Sequence, residues 1–308
     1  LAAGARPAQA QADDLGLIVR TEKDRAMVSS NRSLEASLFD RRFIKWVAGV
    51  LVALLGLLVI GDVLFVIVWP EASNFVSFQV NVDNEGNWST WFNSTIDLFV
   101  GVAAFIVAWL KSREPRAPGR RYDVMGWILS GCVFVLLGMD DASQLHDSFS
   151  AVVANAIYAV RIGIPIVQEL RYYMWIPLLG IPGIAVTVLM GIFFYRNLWR
   201  VPAARWLALA GIVLFLSNPV VEVFESKIIL DTNPESIEEL YFTDLTAWRT
   251  LQVLTLIQET TEIGAVICFL IGFMLFGGHL VGNEVTGPEA LPLSAARAVD
   301  EKTAVSAR

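Results

Sequence analysis

Three short stretches gather the side chains able to do chemistry: Asp140, Asp141, His146 and Asp147; Glu222 and Glu225; and Glu259 and Glu262. Each lies near the end of an apolar run of membrane length, where an ionisable group is costly and as a rule faces a bundle interior or a water-filled cavity. Asp140, Gln144 and Asp147 recur at i, i+4 and i+7, with His146 on the adjacent face. Asn218, Glu222 and Glu225 recur at spacings of four and three, and so do Thr255, Glu259 and Glu262. At helical periodicity each set falls on one face. Asp97, with Asn93 four residues earlier, offers a fourth span's polar group at similar depth.

Carboxylates crowded in a medium of low dielectric repel one another, so a divalent ion, shared protons or arginine partners must relieve the repulsion. Carboxylates with one imidazole suit iron, zinc or manganese. On that reading Asp140, His146, Glu222, Glu225, Glu259 and Glu262 are the expected ligands, and Asp141, Glu222 and Glu259 are the catalytic acid–base groups. Asp97, Asp147, Arg161 and Arg249 would support them from behind, with Arg171 a further cation on the same side. The four-helix dinuclear pattern carries Glu-x-x-His on two helices, whereas only His146 is so placed here. A metal-free proton or polar-ligand site, and a structural ion-pair network, are the competing readings of the same residues.

The elements that must position these groups are membrane helices. The 308 residues are 55% hydrophobic and 17% charged, mean hydropathy is +0.57, and the apolar residues come in long runs, as in an integral membrane protein. A net charge of −7 argues against a nucleic-acid surface and leaves membrane lipid, or another membrane subunit, as the expected partner. Cys132 and Cys268 both fall inside apolar runs and read as packing residues.

Six stretches can span: 43–69, 91–110, 125–138, 174–195, 206–224 and 251–276. The third reaches spanning length only if its helix runs on through the acidic residues after Gly138. The expected fold is an all-α integral membrane protein, a six-span bundle. Residues 149–173, interrupted by Asn155, Arg161 and Pro165, are expected as an interfacial or re-entrant segment between the third and fourth spans. Ser94 or Thr95 is expected to cap or back-bond near the start of the second span, and Pro219 is expected to open an irregular turn in the fifth.

Basic residues flank the spans on one side: Arg41, Arg42 and Lys45; Lys111, Arg113, Arg116, Arg120 and Arg121; Arg196, Arg200 and Arg205. By the positive-inside rule both termini are expected in the cytoplasm of a cell-membrane protein, with the acidic groups toward the outer face. Residues 1–40 read as a polar tail without the apolar core of a cleavable leader, 41–278 as the membrane domain, and 279–308, with the lone His279, as a cytoplasmic tail.

The string Gly138-Met139-Asp140-Asp141-Ala142-Ser143-Gln144-Leu145-His146-Asp147, together with Glu259-Thr260-Thr261-Glu262-Ile263-Gly264 and the Trp-bearing approach to the second span, resembles a group of uncharacterised bacterial multipass membrane proteins. The resemblance extends over most of the membrane portion and implies no established activity. Histidine-rich membrane hydrolases, desaturases and hydroxylases fit less well, because the chain has only His146 and His279. No nucleotide-binding G-x-x-x-x-G-K-[ST], H-E-x-x-H or serine-elbow motif is present. Three functions fit: a metalloprotein acting on lipid or another apolar substrate, a proton- or cation-linked transporter or accessory subunit, and a structural membrane partner.

Overall fold

A chain this apolar has no water to satisfy its backbone within a bilayer, so its spans must close their own hydrogen bonds as helices. The computed structural model describes residues 39–69, 78–81, 87–114, 119–143, 152, 180–232 and 237–285, and among these there is no strand. The helices are α1 (Arg41–Asp62, continued by the π-helical turn Val63–Val68), α2 (Trp88–Arg113), α3 (Arg120–Ser143), α4 (Ile181–Asn197), α5 (Pro202–Thr232), α6 (Ile237–Thr243) and α7 (Leu245–Val285). The protein is an all-α membrane protein.

Five helical stretches are long and apolar enough to cross a bilayer: Arg41–Val68, Trp88–Arg113, Arg120–Ser143, Pro202–Ile229 and Leu245–Gly282. The fourth span expected from sequence corresponds to α4, an apolar helix of 17 residues. Its described part is about 25 Å long at ~1.5 Å per residue, and residues 174–179 of the expected span lie outside the described residues. The described residues thus hold five candidate spans and one shorter helix where six spans were expected. The interfacial segment expected at 149–173 lies outside the described residues, as do the tail through residue 38 and residues beyond 285.

α7 is the hub. Of its most apolar stretch 67% is buried, against 17% for α1, because α7 packs against α5, α2, α1 and α6, whereas α1 leans chiefly on α7. Two antiparallel pairs, α2 with α3 and α5 with α7, make the closest contacts, and small residues permit them. A Cβ on Gly211 would come 3.0 Å from the Ala265 carbonyl, and one on Gly272 3.1 Å from that of Ala204. Gly101 meets Gly131 and Val135 in the same way. At the basic end, Trp127 packs against Phe193, Phe194, Phe273 and Phe276 with ring centroids 4.9–5.6 Å apart, joining α3, α4 and α7.

At the other end α5 and α7 outrun the bilayer. With 41 residues, α7 is about 60 Å long at ~1.5 Å per residue, and Trp248 and Leu251 in its first turns form a second small core with Leu240 of α6 and Ile228 and Ile229 of α5. The helix is capped by Asp244, whose Oδ1 accepts from Thr246 N (3.1 Å) and Ala247 N (3.0 Å). Its far end continues past residue 278, the sequence-based boundary, so that His279 stands on a helix and not in a tail. Cys132 is exposed on α3 and Cys268 half-buried on α7, both as free thiols; the exposed face of α3, not its packed one, carries Cys132.

α2 begins at Trp88, and Asn87 caps it in place of the expected Ser94 or Thr95: its Oδ1 accepts from Thr90 N at 3.1 Å. The same buried side chain donates to the carbonyls of Phe78 (2.9 Å) and Asn81, tying the preceding segment to the helix. Replacing Asn87 with alanine should therefore cost about 1–2 kcal/mol in unfolding of the detergent-purified protein, the upper range for loss of a cap. Asn87→Asp, which keeps the cap acceptor and loses both donors, should fall between the two.

Candidate functional site

Heptad-like spacing decides which polar groups meet. The face of α3 that touches α2 carries Gly131, Phe134 and Gly138, and the next position on it is Asp141. A Cβ on Gly138 would lie 2.8 Å from the Ser94 carbonyl and 3.0 Å from the Asp97 Cβ, so the missing side chain is what lets α3 close on α2 here. On α2, Asn93 and Asp97 lie one turn apart and both are buried. On α5, Ala204, Ala208, Gly211 and Asn218 follow one stripe toward α7, and the α7 stripe runs through Thr255, Glu262, Ala265 and Gly272.

These four faces converge on one network. Asn93 Nδ2 donates to Asp141 Oδ2 at 2.6 Å and reaches Glu262 Oε1 at 3.5 Å. Asn218 Nδ2 donates to Glu262 Oε2 at 3.2 Å, and its Oδ1 accepts from Thr261 Oγ1 at 2.8 Å. Asp97, 1% exposed, is a close neighbour of both Asp141 and Glu262. Glu262 thereby links the α5–α7 pair to the α2–α3 pair. A smaller second layer, Thr255 Oγ1 donating to Glu225 Oε1 at 2.9 Å, lies about 10 Å further along α7 at ~1.5 Å per residue.

An ionised carboxylate can only accept. Carboxyls set this near one another in a medium of low dielectric repel unless a proton or a cation comes between them. The same site carries oxygens with nothing to accept from: Asn93 Oδ1, Ser94 Oγ and Asp97 Oδ1 are buried and have no hydrogen-bond partner among the described residues. Thr260 Oγ1, one position before Thr261, is in the same condition. Buried oxygens left this way are uncommon and point to a group that completes them.

The residues singled out from sequence divide in three. Asp97, Asp141 and Glu262 come together, and Asp97, expected as a supporting group, is at the centre. Glu225 belongs to the second layer; Asp140, Glu222 and Glu259 are half-buried nearby in sequence, Glu222 falling on the α7-facing stripe between Asn218 and Glu225. Arg249 is exposed on α7, roughly 20 Å along the helix from Glu262 at ~1.5 Å per residue, so it does not relieve the carboxyl charge. His146, Asp147 and Arg161 lie outside the described residues. Among the described residues no group of three His, Cys, Asp or Glu side chains is arranged to hold a metal ion; the Asn93 amide lies between Asp141 and Glu262.

Two features escape the sequence reading. Asn218 is a buried member of the network and not merely the start of a stripe; the helix stays continuous through Pro219, where an irregular turn was expected. Asp62, 2% exposed, sits where α1 passes into its π-helical turn. The signal for it was a lone acid inside the most apolar span, at the same end as the other acids.

A family model matches residues 45–280, which take in the network and every helix of the bundle from α1 to the greater part of α7. The chain belongs to the DUF8692 family, a domain of unknown function. No curated protein and no solved structure matches it. Within the DUF8692 domain the polar network shared by α2, α3, α5 and α7, with its buried oxygens that lack partners among the described residues, is the candidate site.

Proposed function

We propose that this membrane protein handles cations: the site around Asp97 and Asp141, with Glu262 beside it, holds a proton and exchanges it for a hard, oxygen-preferring cation such as sodium, calcium or manganese, bound by carboxyl, carboxamide and hydroxyl oxygens together and not by a cage of three carboxylates. The observation that carries the reading is geometric: buried Asp97 and half-buried Asp141 flank Asn93, and the buried oxygens Asn93 Oδ1 and Asp97 Oδ1 lack partners among the described residues. Carboxylate, carboxamide and hydroxyl oxygens are the donors that hard cations prefer. A cation entering there would replace the proton, so binding and deprotonation are one event. The basic flanks of the spans support a cell-membrane orientation with both termini in the cytoplasm and this site toward the outer face.

A second reading, a metalloprotein holding iron, zinc or manganese and acting on lipid or another apolar substrate, is favoured by the α5 stripe of Glu222 and Glu225 beside the network. It needs His146 as a nitrogen ligand, with Asp141, Glu222 and Glu259 moving protons.

The two readings separate in one experiment. The purified protein in weakly buffered detergent solution is titrated with sodium, calcium and manganese chlorides while a pH-sensitive dye reports proton release, and its metal content is measured by elemental analysis. Cation-dependent release of about one proton per cation bound, abolished in Asp97→Asn and in Glu262→Gln, supports exchange. Tightly held stoichiometric iron, zinc or manganese that is lost in His146→Ala supports the metalloprotein. Neither signal, with unaltered folding of a triple neutral variant, would leave the network a structural one.

A further inference from the structure

The end of the bundle remote from the carboxyl site holds a cavity of about 870 Å³ between the end of α2, the start of α3, α4, the α4–α5 turn and α7. Its rim is cationic. Lys111, Arg196 and Arg200 line it, with His279 on α7. Lys111 is already paired with Glu114 at 3.0 Å; Arg196 and Arg200 make no ion pair among the described residues. Asp123 is the one other acid of the lining. The floor is apolar, formed by Leu189, Ile192 and Phe193 of α4 and by Phe276.

Leu189 and Ile192 are 66% and 53% exposed, so the floor runs out onto the face of α4 that the bundle leaves to its surroundings. Among the described residues α3 and α4 touch around Gly126, Trp127, Phe193 and Phe194, and the rest of their length makes little contact with each other. The cavity therefore joins two unpaired guanidinium groups at the helix ends to an apolar path along the spans. That combination fits an amphiphile with an anionic head, and guanidinium groups pair well with phosphodiester oxygens.

We propose that this cavity binds an anionic glycerophospholipid, its phosphodiester between Arg196 and Arg200 and its acyl chains over Leu189 and Ile192. The site is separate from the carboxyl network and stands whether or not that network exchanges cations.

The test uses the full chain in uncharged detergent, presented with equal amounts of phosphatidylglycerol and phosphatidylcholine, with bound lipid read by native mass spectrometry. Phosphatidylglycerol adducts should predominate and fall roughly tenfold or more in the Arg196→Gln/Arg200→Gln double variant, in line with the attraction of two basic residues for an anionic head. Lys227→Gln, an exposed cation at the other end of α5, should retain the wild-type pattern, and excess inorganic phosphate should not displace the lipid. Equal retention of the two lipids, or an unchanged double variant, overturns the proposal; displacement by phosphate alone reduces the cavity to a small-anion site and overturns it too. Should the double variant misfold, Leu189→Trp keeps every cation and fills the floor, and undiminished phosphatidylglycerol binding by that variant is equally fatal.

Discussion

Glu262→Ala is expected to remove both the stability that the carboxyl network lends the bundle and its capacity for cations. Glu262 is the acceptor that Asn218 reaches at 3.2 Å and the one that brings Asn93, at 3.5 Å, toward the α5–α7 pair. Truncation leaves the Asn218 amide, 8% exposed, without that acceptor, and a buried donor left unmade costs about 1–3 kcal/mol. Loss of the interhelical bond itself adds roughly 0.6–1.7 kcal/mol in a membrane protein. The total, about 2–4 kcal/mol, is measurable as a shift in equilibrium unfolding of the detergent-solubilised protein.

Glu262→Gln separates the two losses. It keeps the volume and one acceptor oxygen, so stability should fall by only about 1 kcal/mol, while cation-linked proton release should disappear with the charge. A double-mutant cycle with Asn218→Leu should show a coupling of about 0.5–2 kcal/mol, since the two side chains share a bond. Wild-type stability in Glu262→Ala together with zero coupling would show that the helices are not joined through this residue.

The sequence made the class of fold readable because the bilayer imposes it: long apolar runs with basic flanks have few alternatives to spanning helices. It also marked the end of the bundle where the polar groups meet, since Asn93, Asp97, Asn218 and Glu262 recur near the same ends of their spans. What it left undetermined was rotation. In α3, Asp140 and Asp141 are adjacent, and only the packing of Gly131 and Gly138 against α2 turns Asp141, not Asp140, toward Asn93. The small residues seven apart were visible in the chain and name the buried face, whereas the acidic spacing by itself favoured the stripe of Asp140, Gln144 and Asp147. Asp97 does not stand out in the chain for a related reason: one acid among apolar neighbours carries no periodic signal, and its burial comes from helices that follow it in the chain.

The same close approach makes Gly138 the position where a single methyl group should do most harm. An alanine Cβ there would meet backbone, the Ser94 carbonyl at 2.8 Å, and the Asp97 Cβ at 3.0 Å. A carbonyl in a helix cannot swing aside as a long side chain can, so α3 must move away from α2. Overpacking of this kind costs about 1–3 kcal/mol for small additions, and Gly138→Leu should exceed that range or fail to assemble. The displacement acts on chemistry as well, because Asp141 lies one turn beyond Gly138 and the hydrogen bond it accepts from Asn93 depends on that spacing. Gly138→Ala is therefore expected to lose cation-linked proton release in parallel with stability. Gly56→Ala in α1 is the matched control: nothing lies within 4 Å of its Cβ, and replacing a mid-helix glycine by alanine should be neutral or stabilising by up to about 1 kcal/mol. If thermal unfolding ranks the two variants equally, the α2–α3 contact is looser than the close approach at Gly138 requires, and the carboxyl pair cannot owe its geometry to it.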